Sequence, residues 1–157
     1  MAVYDRITPA GKRFFAEIEK LRRTEVQVGY QAGAAYSNGE GSAVDITEVV
    51  MWNEMGTSKS PSRPFMRKSV DNNASTVNKM CKMQLALLAS GSASAHTVLQ
   101  NIGVMQKGLI QNEISRGGFA ANAPATIRKK KSAKPLIDSS LMRQSVNFKI
   151  TGKGGGK

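Results

Sequence analysis

Histidine and cysteine are nearly missing from this 157-residue chain, which holds only His96 and Cys81. One of each cannot build a closed Cys/His zinc site within one copy, and Cys81 has no partner for an internal disulfide. His96 lies between Ala95 and Thr97, beside a helical apolar stripe, and reads as a surface residue. Cys81 falls on another stripe, where a thiol packs as a small hydrophobe. No Ser-His-Asp or Cys-His arrangement is indicated, so no catalytic residue is expected. Phosphate-cradling glycine motifs are missing too, since no GxxxxGK[ST] order occurs and GYQAG and GEG lack the strand-loop-helix spacing. Neither a cofactor nor a metal is expected. Aromatic residues are only 6% of the chain, and none interrupts its basic run, so a zinc-finger or RNA-recognition module is disfavoured. No apolar run approaches the ~18 residues of a membrane span, so no membrane partner is expected. MAVYDRITPAGKRFF lacks the order of a secretory signal, and assembly in a reducing cytoplasm is the expectation.

Acidic residues are also scarce. Eleven Asp and Glu face 23 Lys and Arg, leaving a formal charge of +12. From residue 120 onward, Arg128, Lys129, Lys130, Lys131, Lys134, Arg143, Lys149, Lys153 and Lys157 are opposed by Asp138 alone. Arg128, Lys129, Lys130, Lys131 and Lys134 are therefore the candidates for contact with DNA or with an acidic protein surface, although such a run also suits a solvated loop.

At this length a single domain spanning 1–157 is expected. Thr8-Pro9 opens a helix over 9–22, Thr as cap and Pro at the first position, with Phe14, Phe15, Ile18 and Leu21 on one face. The period then falls to two, and Val26, Val28 and Tyr30 mark a half-buried strand over 24–30. Residues 31–43 are rich in glycine and small side chains and contain Asn38-Gly39, so a flexible loop or hairpin is expected. Asp45 with Glu48 forms a capping box for a helix over 45–55, with Val44 and Val49 as a staple and Val49 and Trp52 facing the core. Gly56 supplies its C-terminal turn.

Pro61 and Pro64 stiffen the connector 57–64. Val70, Ala74, Val77, Cys81, Leu85 and Leu88 then predict one helix over 64–90 with one continuous stripe. Gly91 breaks or bends it. A second stripe of Ala95, Val98, Leu99, Ile102, Met105, Leu109, Ile110 and Ile114 runs to Gly117-Gly118. Residues 118–137 read as an extended arm, Asp138-Ser139 as the cap of a short helix through Gln144, Val146, Phe148 and Ile150 as a last strand, and 152–157 as a frayed tail. The fold class is α+β: long helices packed on a small antiparallel sheet that pairs 24–30 with 146–151, with an extended C-terminal arm. The C-terminal strand adding to a neighbouring copy's sheet remains open as an alternative.

Three segments carry a resemblance. Asn53-Glu54-Met55-Gly56-Thr57 is similar to an Asn-Glu-aromatic-Gly-Thr helix end. Pro61-Ser62-Arg63-Pro64-Phe65-Met66 is similar to a Pro-Ala-Arg-Pro-Phe helix opening. Ala123-Pro124-Ala125-Thr126-Ile127 through Lys134-Pro135-Leu136-Ile137-Asp138-Ser139 is similar to Pro-Ser-Thr-Ile followed by Lys-Pro-Leu-Ile-Asp-Thr-Gly. In this order the segments resemble the neck or tail-completion (virion morphogenesis) proteins of long-tailed bacteriophages, with Met55 replacing the commoner aromatic and Ser140 the usual glycine.

The resemblance implies a non-enzymatic virion subunit at the head-to-tail junction or the top of the tail, assembled in the host cytoplasm. It would form a ring, a hexamer in preference to a dodecamer, joining connector or head-completion proteins to the tail tube or tail terminator around the DNA channel. Loop 31–43 and arm 118–137 would reach neighbouring subunits. Asn53, Glu54, Gly56, Thr57, Arg63, Pro64, Phe65, Pro135, Leu136 and Asp138 carry the motifs, and a charge-assisted Glu54–Arg63 pair is expected to fix the angle between two helices. The competing reading is a basic phage protein that binds or packages DNA.

Overall fold

The computed structural model describes residues 7–33, 35–37, 43–124, 127–128, 136 and 141–153. Its order is α1 (Pro9–Arg23), β1 (Thr24–Gly29), β2 (Ala35–Ser37), β3 (Ala43–Asp45), α2 (Ile46–Met55), α3 (Phe65–Asp71), α4 (Ala74–Ala89), α5 (Ala95–Arg116), α6 (Leu141–Gln144) and β4 (Asn147–Gly152). The class is α+β, as the sequence predicts.

Local chemistry sets most boundaries. Thr8 Oγ1 accepts from Gly11 N at 3.1 Å ahead of Pro9. Asp45 accepts from Thr47 N at 2.8 Å and also from Gly33 N at 2.7 Å, which ties the β2–β3 hairpin to the α2 cap. That hairpin pairs Ala35 with Asp45 and Ser37 with Ala43, so it runs two residues past the segment 31–43 expected to be a loop or hairpin, while Asn38-Gly39 lies outside the described residues. Ser94 caps α5, and Gly117, at φ +72°, closes it.

β1 and β4 pair antiparallel from Thr24↔Gly152 to Gly29↔Asn147, the predicted partnership. Side chains alternate across the pleat, so Val26, Val28, Phe148 and Ile150 share the face toward α5, the helix that touches both strands. Phe148 lies directly on Gly103, where a Cβ would stand 2.5 Å from the ring. Glycine at this point of α5 is what lets the sheet approach.

Two apolar clusters form along α5. The larger contains Ile46, Val50, Phe65, Ile110, Ile114, Leu136, Met142 and Val146, and the smaller Leu88, Ala95 and Val98, with Phe14, Ile18 and Leu21 of α1 against it.

Several expectations are corrected. The helix predicted over 64–90 is two helices, broken at Asn72-Asn73. Asn73 Nδ2 donates back to Ser69 O at 2.9 Å and Asn72 Nδ2 reaches Glu113 Oε1 at 3.3 Å, side-chain bonds that compete with continuing the helix. The break also breaks the stripe: Val70 and Leu85 are exposed, while Gln84 and Leu88 are the buried positions of α4. Phe15 is exposed because α1 packs through the narrower seam of Phe14, Ile18 and Leu21. Trp52 faces solvent rather than the core, since Asp45 sets a register in which Ile46 and Val50, one turn apart, point inward.

Candidate functional site

The first two motif segments fold into one junction between α2 and α3. Gly56 ends α2 at φ +78° and donates to Trp52 O, and a Cβ on it would meet Ser62 N at 2.8 Å. Thr57 and Ser60 close a tight turn, with Thr57 N donating to Ser60 O at 2.8 Å. The returning chain is held against α2 by Ser62 Oγ donating to Glu54 O at 2.7 Å and Arg63 N donating to Asn53 O at 2.6 Å.

Glu54 and Arg63 do not pair. Glu54 Oε2 and Oε1 accept from Met66 N and Arg67 N, each at 3.0 Å. These amides belong to the first turn of α3, where unpaired N–H groups and the positive end of the helix dipole attract a carboxylate. Pro64, the residue at the α3 N-cap, offers no side-chain cap, so Glu54 does this from another helix.

Arg63 is only 6% exposed and reaches the opposite way. Nε donates to Ala120 O at 2.9 Å, Nη2 to Ala121 O and Asn122 Oδ1 at 3.2 Å each, and Nη1 to Asn53 Oδ1 at 3.3 Å. A planar fork with five donors suits a row of carbonyls in extended backbone better than a single carboxylate. Burial lowers the Arg63 guanidinium below its ordinary value. Asn53 is the hinge pin of the arrangement: its Nδ2 donates to Val49 O at 2.8 Å while its Oδ1 accepts from Arg63.

Phe65 is fully buried beneath the junction and meets Tyr30 edge-on, ring centroids 6.2 Å apart. Burial, and secondarily the Glu54 carboxylate, push the Tyr30 phenol well above its ordinary value of 10. A shallow cleft of about 400 Å³ opens above the guanidinium, lined by Trp52, Thr57, Lys59, Pro61 and Asn122 among others. Next to it, Met51, Trp52 and Met55 form an exposed apolar face on α2, at 65%, 48% and 67% exposure.

The arm expected to reach neighbouring subunits begins bound to its own chain. Arg63 grips 120–122, and Lys68 Nζ sits 4.9 Å from the Phe119 ring centroid. Leu136, from the third motif, is buried in the larger cluster at φ +64°. Pro135, Asp138, Lys129, Lys130, Lys131 and Lys134 lie outside the described residues, and Arg128 is exposed.

Sequence reasoning placed Asn53, Glu54, Gly56, Thr57, Arg63, Pro64 and Phe65 together and missed what Glu54 and Arg63 bind. A proline-capped helix start without its own acceptor was the one local signal for Glu54. It also missed a polar seam between α5 and the α3–α4 pair, where Asn101 Nδ2 donates to buried Gln84 Oε1 at 3.0 Å and Gln106 Nε2 to buried Ser69 Oγ at 3.2 Å.

Among the described residues no cluster of His, Cys, Asp and Glu could hold a metal ion, and no helix is long and apolar enough to cross a membrane. His96 is exposed and Cys81 half-buried. No family model, curated protein or solved structure matches this chain.

Proposed function

We propose that this chain is a non-enzymatic structural subunit of a long-tailed phage particle, one that closes a ring with copies of itself at the head-to-tail junction around the DNA path. Six copies would match the symmetry of a tail, and connector or head-completion proteins above and tail-tube or tail-terminator proteins below would be its neighbours. The observation that carries the reading is the junction at 53–66. The residues of the resemblance build a rigid knot, and mounted on it is the exposed apolar face of Met51, Trp52 and Met55. Apolar side chains grouped on a surface are suited to burial against protein. Met83, Leu85 and Leu87 on α4 are further large apolar side chains left exposed, and a heterologous ring needs two different patches per subunit.

Immunogold labelling and mass spectrometry of purified infectious particles test the proposal. The chain is expected at the neck or the tail top, and infectious particles that lack it refute the reading.

The charge of +12 favours a second reading, a DNA-binding or packaging protein. That reading requires tight duplex binding by the isolated chain, falling steeply with salt. Filter binding over a salt series separates the two. Replacing Lys129, Lys130 and Lys131 by Gln is expected to impair particle assembly more than DNA retention if the basic segment meets protein. Unchanged assembly, retention and ejection would remove any role for the run.

A further inference from the structure

We propose that copies of this chain join through the edges of the β1–β4 sheet, the outer edge of β1 in one copy pairing with the outer edge of β4 in the next. The inference rests on the ring reading above and names its seam.

A two-stranded sheet uses one edge of each strand. Here the phase of the ladder is fixed by Lys153 N donating to Arg23 O at 2.8 Å, the pair that continues the register beyond Thr24↔Gly152. Hydrogen-bonded and non-bonded pairs alternate in an antiparallel ladder. Glu25↔Thr151, Gln27↔Lys149 and Gly29↔Asn147 therefore bond inward. Thr24, Val26 and Val28 on β1, and Phe148, Ile150 and Gly152 on β4, turn their N–H and C=O groups outward. Among the described residues no other segment takes up these outward groups. No residue of either strand is buried. The ladder runs without a bulge, and neither strand contains proline, so two of the devices that blunt an edge are missing.

A second copy is the occupant that fits both edges at once. Because β1 and β4 run antiparallel, the β4 of a rotated copy meets β1 antiparallel as well. Repeating the operation reuses the same two edges, so the contact is heterologous and closes into a ring at the right rotation.

Charge selects this pairing over the like-edge ones. Glu25, half-buried, and Lys149, exposed, both stand on the face of the sheet away from α5 and are the only charged side chains of the two strands. The register that bonds Val26 to Phe148 of the next copy sets Glu25 opposite Lys149 of that copy. The matching β1–β1 or β4–β4 contact would set Glu25 against Glu25 or Lys149 against Lys149, and like charges directly opposite oppose pairing.

The test uses two preparations of the full chain in a Cys81→Ser background, one carrying Glu25→Cys and the other Lys149→Cys. Each holds a single thiol, so every disulfide formed is between copies. On mild oxidation the mixture is expected to give the linked pair, with background linking in either variant alone, and native mass spectrometry is expected to show a closed oligomer. Where the chain is monomeric in solution, the oxidation is run on particles assembled from both variants. A closed oligomer without the 25–149 link, or with equal linking in the single variants, overturns the edge seam and leaves the ring standing. A chain that is monomeric in solution and missing from particles overturns the ring and the seam together.

Discussion

Truncating Arg63 is expected to cost more stability than any other change to a polar side chain in the 53–66 junction. Its side chain donates four hydrogen bonds, to two main-chain carbonyls and two side-chain amides, on segments 57 to 59 positions apart in sequence for the far partners. Bonds from a charged donor are worth about 1.5–3 kcal/mol each before water replaces them. Ala120 and Ala121 are exposed, so water reaches their carbonyls once the guanidinium is gone, while Asn53 is half-buried. The guanidinium also recovers its hydration on unfolding, and this desolvation cost is removed with it. The net loss for Arg63→Ala is then about 3 kcal/mol, a shift of roughly a hundredfold in the folding equilibrium. Arg63→Lys keeps the charge but offers a point donor that cannot span the row, so it is expected to lose about 2 kcal/mol. Urea unfolding followed by far-ultraviolet circular dichroism measures both. Hydrogen exchange should rise in the 118–124 peptide of Arg63→Lys while the middle of α5 is unchanged. A lysine variant that matches the parent in midpoint and in exchange would refute the bridging role of the fork.

Gly103→Ala gains helix propensity of about 1 kcal/mol but drives a methyl into Phe148, so a net loss of about 1–2 kcal/mol is expected. Adding Phe148→Leu should recover part of that loss in a double-mutant cycle, and additive losses would count against the contact. Glu54→Ala removes the acceptor for two α3 amides and should lower stability by about 1–2 kcal/mol, with Glu54→Gln intermediate, as read by thermal melts. The Glu17 carboxylate accepts from Ala95 N at 2.7 Å and, on its own helix, from Lys20 Nζ at 2.6 Å, and these bonds, the first above all, hold it below its ordinary value of 4.5. A depressed carboxylate stabilises the fold above its unfolded value, and that contribution is lost as pH falls through the folded one. Urea midpoints should therefore fall below about pH 4.5, and the fall should be shallower in Glu17→Gln. Parallel curves would remove the α1–α5 tie.

What the chain's letters reveal and conceal follows the range of each interaction. Thr8-Pro9, Asp45, Gly56 and Gly117 act within four residues of themselves, and the element boundaries they set agree with the folded chain. The β1–β4 partnership was also legible, since two alternating segments near the ends had few other partners. The Asn72-Asn73 break was not, because apolar spacing carried across it while the cause lay partly in Glu113 on another helix. Nor could spacing show that Trp52 points outward, because α2 offers apolar residues on more than one face. At the junction the motif residues were found by pattern, but Glu54 and Arg63 invited pairing by charge. Their actual partners are backbone groups and, for Arg63, two asparagine side chains as well, none of which leaves a mark in composition.

The division of apolar burial along α5 has a mechanical consequence. One end of the rod is locked by eight clustered side chains and the Arg63 knot, and the other by Leu88, Ala95 and Val98 with α1 laid across them. Regions with fewer buried contacts open at lower free energy. The α1 end should therefore breathe first, releasing the turn at 90–94 while the Glu54–Arg63 end keeps its shape. A pull on that helix is absorbed as local fraying rather than passed down the rod.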